Sequence, residues 1–338
     1  MRSETSIAFF DYLGNRAMPP APMEMVFRRF GIHFVESNSS SIPSHSISIR
    51  HTAANLRQIQ ACNIPRERRT LAVLEARVNE PFPFSRRAAQ TYGQIVFASH
   101  YDTQERELFG WPWTPPQLNL EVNRCHRIAM VNANKFSSAH GEQYSLRRAI
   151  LREIVAQQLP VDLYGSDWTQ SKTRNLAQAL RHDVVHLRDQ ARLRHRLRFS
   201  QSRYQSLDTQ SFPSLGEIDD KFQTLSHYRF SLVVENDRTF FTEKLMDSLA
   251  CGCTTFYLGP RLAAVDDLPG VVLLPESPAS SVTFMRRYLS TPEATINEPG
   301  VIRNAAITTF AQTAGGAWEN LAKQWLKFYR QTKNYLGT

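Results

Sequence analysis

The run Tyr228–Pro260, YRFSLVVENDRTFFTEKLMDSLACGCTTFYLGP, admits few folds. Phe230–Val234 is a short run of apolar, small and β-forming residues, which predicts a buried strand. Glu235, Asn236, Asp237 and Arg238 break it. Thr242 stands where an N-cap belongs, and Leu245, Met246, Leu249 and Ala250 follow at helical spacing. Gly252 suits the position just past a helix. Cys253–Leu258 is a second β-rich run, closed by Gly259-Pro260. Strand, helix and strand joined by short loops form a βαβ crossover, which predicts a parallel sheet. Ligands of such sheets sit beyond the carboxyl ends of the strands, the edge on which Glu235, Asn236 and Thr242 fall.

The start of that helix carries a charge conflict. A helix N-terminus offers free N–H groups and a partial positive charge, so its first turn favours acids. Lys244 places an ammonium there, beside Glu243. One reading is a solvated pair at a helix start. The other is an anion site in which the helix end and Lys244 act together.

Three pieces of this run, in order, resemble a family signature. Tyr228-Arg-Phe-Ser-Leu-Val-Val-Glu-Asn236, Thr242-Glu-Lys-Leu245 and Phe256-Tyr-Leu-Gly-Pro260 are similar to the Y-[KR]-F-x-L-x-x-E-N, T-E-K-[LFI] and L-G-P segments of the α-1,3/α-1,4-fucosyltransferases, glycosyltransferase family 10. Upstream, Pro160–Gly165 resembles the family's V-D-V-[FY]-G strand. Arg127–Asn132 with Ser145–Ile150 resembles its strand and arginine helix, and Phe97–Trp113 occupies the place of its acidic, aromatic run. The likeness is densest over 228–260 and thin over the first 60 residues. The loop from Asn236 to Thr242 is about two residues shorter than the family's, Phe240 replaces a common Tyr, and Val131-Asn132 replaces Ser-Asn.

That resemblance implies an α/β fold of GT-B type, two Rossmann-like domains facing across a cleft. It implies transfer of fucose from GDP-fucose to a hydroxyl of an N-acetylglucosamine-type acceptor, with inversion and α-1,3 or α-1,4 linkage. It also implies a soluble, bacterial-type member or an excised catalytic region, cytoplasmic, with peripheral contact at the inner membrane face left open. Two other functions stay open: a GT-B transferase using another nucleotide sugar for capsule or lipopolysaccharide, and a non-catalytic binder of polyanions or glycans.

The chemistry asks for a base on the acceptor hydroxyl and for stabilisation of a departing diphosphate. The chain has Asp219-Asp220 and Asp266-Asp267 but no D-x-D, which favours cations and a helix end over a metal; no metal ligand and no cofactor beyond the donor substrate is assigned. Lys244 is the candidate cation. Arg174 matches the family's phosphate-binding arginine by position, with Arg147 or Arg148 as substitutes. Glu243 suits the donor's ribose hydroxyls. Asn236 and Glu235 are placed to meet the donor sugar, although Glu235 could instead brace the loop by accepting backbone N–H bonds. For the base, Glu75 ends the strand-like run Thr70–Leu74 and matches where the family carries its catalytic Glu. Glu80 is the rival. His100, Tyr101 and Asp102 are candidates for the acceptor side, or a plain strand end and turn.

The rest of the chain sets bounds. Its 338 residues suit two domains, and 42% hydrophobic with 11% aromatic residues is a composition that packs cores. No apolar run reaches membrane-spanning length, and Arg2 and Glu4 before Ile7–Phe10 do not make a signal peptide. We place an acceptor-binding α/β domain at 1–115, ending in the Pro- and Trp-rich linker Gly110–Pro116. A donor-binding domain follows at 116–300 and a helical tail at 301–338. Strands are expected at Ser6–Phe10, Ile47–Ile49, Leu71–Leu74, Gly93–Ala98, Ile128–Val131, Val161–Tyr164, Phe230–Val234, Cys253–Leu258 and Val271–Leu274, with no internal sequence repeat. Trp318, Leu321, Trp325, Phe328 and Tyr329 form the tail's apolar face. Cys62, Cys125, Cys251 and Cys253 lack zinc spacing and read as reduced, structural thiols. Part of the net charge of +9 lies in Arg181–Arg198. That stretch is a solvated surface, a contact for anionic lipid, or a nucleic-acid contact. No nucleic-acid motif accompanies it, so no nucleic-acid partner is expected.

Overall fold

The computed structural model describes residues 5–10, 16–19, 21–35, 43–73, 83, 85–97, 116–137, 141–169, 211–261, 263–291, 298–310 and 325–326. The chain divides into two compact units, the first Met1–His100 with Phe109–Pro112 and Gln312–Thr338, the second Tyr101–Leu108 with Trp113–Ala311.

In the first unit alternation within strands decides which side chains go where. Strand β1 (Thr5–Phe10) sends Ile7 and Phe9 to one face and Ala8 and Phe10 to the other, as a period of two requires. It pairs antiparallel with β2 (Arg16–Ala17). Helix α1 (Ala21–Arg29) then packs Met23 and Phe27 on the Ile7 face, and Gly31, at φ +72°, turns the chain into β3 (Ile32–Phe34). Next come β4 (His45–Ser48), α2 (Ala53–Ala61), β5 (Arg69–Val73), α3 (Arg86–Thr91) and β6 (Gln94–Phe97). Helix α2 opens on a full capping box, Thr52 with Asn55. The parallel strands lie in the order β3-β1-β4-β5-β6. Trp325, far away in sequence, is fully buried in this core, 6.3 Å from the Phe27 ring and edge-on to His45.

The second unit holds β7 (Cys125–Val131), α4 (Tyr144–Ala156), β8 (Val161–Tyr164), α5 (Lys221–Ser226), β9 (Tyr228–Val234), α6 (Glu243–Ala250), β10 (Thr254–Leu258), α7 (Ala263–Asp266), β11 (Val271–Leu273), α8 (Pro278–Leu289) and a helix at 299–310, here α9. Its sheet is wholly parallel, in the order β11-β10-β9-β7-β8. Strand β9 is buried at every position but Arg229, as expected of a parallel strand covered on both faces. Ile128, Met130, Phe230, Leu232, Phe256 and Leu258 meet Leu146, Ile150 and Ile154 of α4 and Val282 and Met285 of α8. On the other face Ala129, Tyr228 and Cys253 meet Leu225 and Cys251. Both thiols are therefore buried packing groups, and burial pushes each up, Cys253 to about 12.

Each expected strand is present to within a few residues, while β2, β3 and α1 were not foreseen. The expected helical tail divides: 299–310 belongs to the second unit and Trp325 to the first. Glu75, Glu80, His100, Tyr101, Asp102, Arg174 and the basic stretch Arg181–Arg198 lie outside the described residues.

Candidate functional site

Counting only parallel strands in chain order, the second sheet runs second, first, third, fourth, fifth. In such a sheet the strand connections reverse between the first and third strands, and a crevice opens at their carboxyl ends. Here those strands are β7 and β9. The crevice is flanked by the Asn132–Lys135 loop, the Glu235–Phe241 loop and the starts of α4 and α6.

Arg147 closes its floor. It is 2% exposed, and its guanidinium donates to the carbonyl of Val234 at 2.7 Å, the Asn236 side-chain oxygen at 3.2 Å and the carbonyls of Glu235 and Ala133 at 3.4 Å. Burial lowers its pKa to about 10, so it stays charged at neutral pH. Arg148 is buried too, stacked 4.2 Å from the Phe136 ring centroid and donating to the Lys135 carbonyl at 2.7 Å. Neither substitute phosphate ligand therefore faces outward. Both knit the loops at the sheet edge, because the first turns of α4 are covered on all sides.

Glu235, expected to meet a sugar, is fully buried. One carboxylate oxygen accepts the Thr242 amide at 3.1 Å and the other accepts the Thr242 hydroxyl at 2.5 Å. This is the bracing role, with burial pushing the carboxyl up and Lys244 and Thr242 opposing that. Asn236, 8% exposed, gives its side-chain oxygen to Arg147 and its carbonyl to the Gln143 amide. It too is turned inward. The loop beyond is fixed by Asp237, which accepts the Thr239 amide and hydroxyl at 2.8 Å, and by Phe241 packed on Phe310. Gly259 belongs to the same device: a Cβ there would lie 2.3 Å from the Tyr257 hydroxyl and 2.6 Å from Glu235.

Glu243 and Lys244 are the site residues that reach solvent, with side chains 33% and 18% exposed. Thr242 is the N-cap of α6 in an extended conformation, yet its side chain makes no cap bond. It accepts the Lys244 ammonium at 3.0 Å instead. Burial pushes Glu243 up, but Lys244, Lys221 and Lys135 outweigh it and hold the carboxyl below its ordinary range. Lys221 is itself paired with buried Asp247. A cation-rich edge at a helix start is the result, suited to a polyanion such as a diphosphate.

A cavity of about 230 Å³ lies at the ends of β10 and β11, walled by Leu146, Leu258 and Leu274 and edged by Gln143, Arg238 and Glu276. The Gln143 side-chain nitrogen Nε2, buried, has no protein partner there. Arg147's bracing role and this cavity were both missed from sequence. The signal for Arg147 was present, since it stands among Leu146, Ala149 and Ile150 at the start of a short amphipathic helix. Among the described residues no group of three His, Cys, Asp or Glu is placed to hold a metal.

No family model matches the chain, and no curated protein is similar to it in sequence. Solved structures do match. A DNA-modifying β-glucosyltransferase, solved with and without uridine diphosphoglucose, aligns at 11% identity and TM-score 0.52 over 95% of this chain and 99% of that one. HepE of Anabaena, solved with UDP and glucose, aligns at 10% identity and TM-score 0.50 over 94% and 100%. A chain of the GtfA/B complex gives TM-score 0.38 at 13% identity, with this chain spanning 57% of its length. At these identities the likeness to the first two establishes architecture alone: the protein has the α/β, GT-B fold.

Proposed function

We propose that the protein is a glycosyltransferase that takes its sugar from a nucleoside-diphosphate sugar. The observation that carries this reading is the Lys244 ammonium, held at the start of α6 on the carboxyl edge of a doubly wound sheet. In this reading Lys244 and the helix end neutralise the diphosphate as it leaves, Glu243 accepts from the ribose, and the donor's nucleobase occupies the cavity edged by Gln143. That cavity is smaller than the roughly 300 Å³ at which pockets for whole ligands begin, so it takes one part of the donor. Glu235 and Asn236 act behind the site, as braces.

The finer reading is transfer of fucose from GDP-fucose to a glycan hydroxyl. Glu75 is the base, Arg174 a second phosphate ligand, configuration inverts and no metal is required. The motif residues Tyr228–Asn236, Thr242–Leu245 and Phe256–Pro260 support it. UDP-glucose is the second reading, favoured by the uridine nucleotides bound in HepE and the β-glucosyltransferase. Anionic membrane near Arg181–Arg198 remains a proposed partner.

Calorimetric titration with GDP, UDP, GDP-fucose and UDP-glucose, with EDTA present, tests this. Micromolar binding of GDP and GDP-fucose with UDP weak supports the fucosyl reading; the reverse order supports UDP-glucose. Binding of none of the four would falsify the function.

A further inference from the structure

Three groups in a row connect the interior of the second unit to its surface. Glu235 is fully buried, Thr242 is 4% exposed, and Lys244 reaches solvent. The Lys244 ammonium donates to the Thr242 hydroxyl at 3.0 Å, and that hydroxyl lies 2.5 Å from Glu235. With Glu235 ionised, the proton direction along this row is fixed by chemistry. An ammonium has donors only, and an ionised carboxylate has acceptors only. The single hydroxyl proton of Thr242 therefore goes to Glu235, and its lone pairs face Lys244. The 2.5 Å separation is within the range of an O–H···O⁻ bond to a charged acceptor.

Two features show that this arrangement displaces an ordinary one. Thr at an N-cap normally accepts an amide two or three residues on, and Thr242 does not. A buried carboxylate normally sits against its counter-ion, yet here the hydroxyl stands between Glu235 and Lys244. The Glu235 backbone is itself pinned, its amide to the Leu258 carbonyl at 2.9 Å and its carbonyl to Arg147 at 3.4 Å. Gly259 leaves room for its side chain. The row thus starts from a fixed point in the core.

We propose that Glu235, acting through the Thr242 hydroxyl, is a positioning residue for the Lys244 ammonium. It holds one of the three N–H donors inward and aims the other two at the ligand's phosphates. This rests on the reading of Lys244 as a phosphate ligand. A lysine on a four-carbon stem otherwise spreads over many rotamers, and fixing it before the ligand arrives lowers the ordering cost of binding. Without Thr242 the ammonium loses its anchor. Without Glu235 the hydroxyl proton can turn toward Lys244 and repel it.

A coupling experiment separates this from a structural role. Dissociation constants for GDP, UDP and pyrophosphate are measured on the full chain and on Lys244→Ala, Thr242→Ala, Thr242→Val, Thr242→Ser and the Thr242→Ala/Lys244→Ala pair. Urea midpoints are taken on each protein. Lys244→Ala is expected to weaken the diphosphates about tenfold, the worth of one charge-assisted bond. Thr242→Ala and Thr242→Val are expected to fall most of that way, and Thr242→Ser to bind like the parent. The double variant is expected to be no weaker than Lys244→Ala alone, because Thr242 acts only through Lys244. If the two losses add, or if Thr242→Ala binds like the parent while Lys244→Ala is weakened, the positioning role is wrong and the phosphate reading survives. If the parent binds no diphosphate, or Lys244→Ala leaves binding unchanged, the phosphate reading itself falls, and the positioning role with it.

Discussion

A carboxylate inside a protein is tolerated when its lone pairs are engaged and a cation is near. Glu235 meets that condition through Thr242 and, one step further, Lys244. Its pKa is nevertheless raised by burial. The native state then holds this proton more tightly than the unfolded chain. The stability it contributes is complete below the ordinary carboxylate value of 4.5 and declines as pH rises through the raised native value. Urea midpoints of the parent across pH 4 to 8 should show that decline, and Glu235→Gln should remove it; identical slopes would mean the group is not linked to folding. At Arg147 the expectation is simpler. Arg147→Met strands several buried oxygens, each worth about 1–3 kcal/mol when left unpaired, so the second unit should lose a few kcal/mol in denaturant unfolding. At this scale the sequence was legible for residue type but not for direction. Glu235, Asn236 and Arg147 have the polarity of ligand contacts. Only the loop geometry, with Asn236 turned onto Arg147 and Glu235 under Thr242, shows that they point inward.

Elements were easier to read than side chains. The strands β7 to β11 are short β-branched or apolar runs bounded by polar turns, and parallel strands covered on both faces must be written that way. The three-residue β3 has no room for a period, and β2 has only two residues, so neither left a signal. One connection has a strict steric demand. Gly165, just past β8, has φ +121°, and a Cβ there would sit 2.1 Å from the Asn132 carbonyl oxygen, which also accepts the Trp168 indole at 2.5 Å. Gly165→Ala should cost at least about 1–3 kcal/mol, the scale of a residue forced into disfavoured backbone, seen as a lower urea midpoint. In the first unit the connection after β4 places His51 against the Tyr92 hydroxyl at 3.0 Å. Burial, with Arg87 nearby, lowers its pKa to about 4 from 6.5. The unfolded chain therefore takes up this proton first on acidification. Stability should drop between pH 6.5 and 4, and His51→Gln should flatten part of that drop, measured as unfolding midpoints at pH 7 and 4.5.

Over the whole molecule, the two units repeat one plan. With the antiparallel β2 set aside, the first sheet runs β3-β1-β4-β5-β6 and the second β8-β7-β9-β10-β11, the same order in chain terms. No sequence repeat announces this, because the order of a sheet is set by crossover handedness and by which faces are apolar, and many sequences satisfy both. Each unit has its own core, so damage should stay local. Trp325→Ala removes a fully buried indole from the first core, a loss of about 3–5 kcal/mol. It should lower the unfolding transition reported by first-unit amides in hydrogen exchange and leave those of β9 and β10 where they are. An equal shift in both would show one cooperative block.

Trp325 also has a consequence for synthesis. A chain leaves the ribosome from its N-terminus, at about 5–20 residues per second, and domains commonly fold as they emerge. Here residues 5–97 come out ahead of the second unit but lack the indole that fills their core until Trp325 has followed that unit out. The second unit, encoded in between, has its sheet and helices complete earlier. Of the two units, the one begun earlier is thus finished later, and a nonsense mutation just ahead of codon 325 would injure the unit whose strands were translated before those of the other.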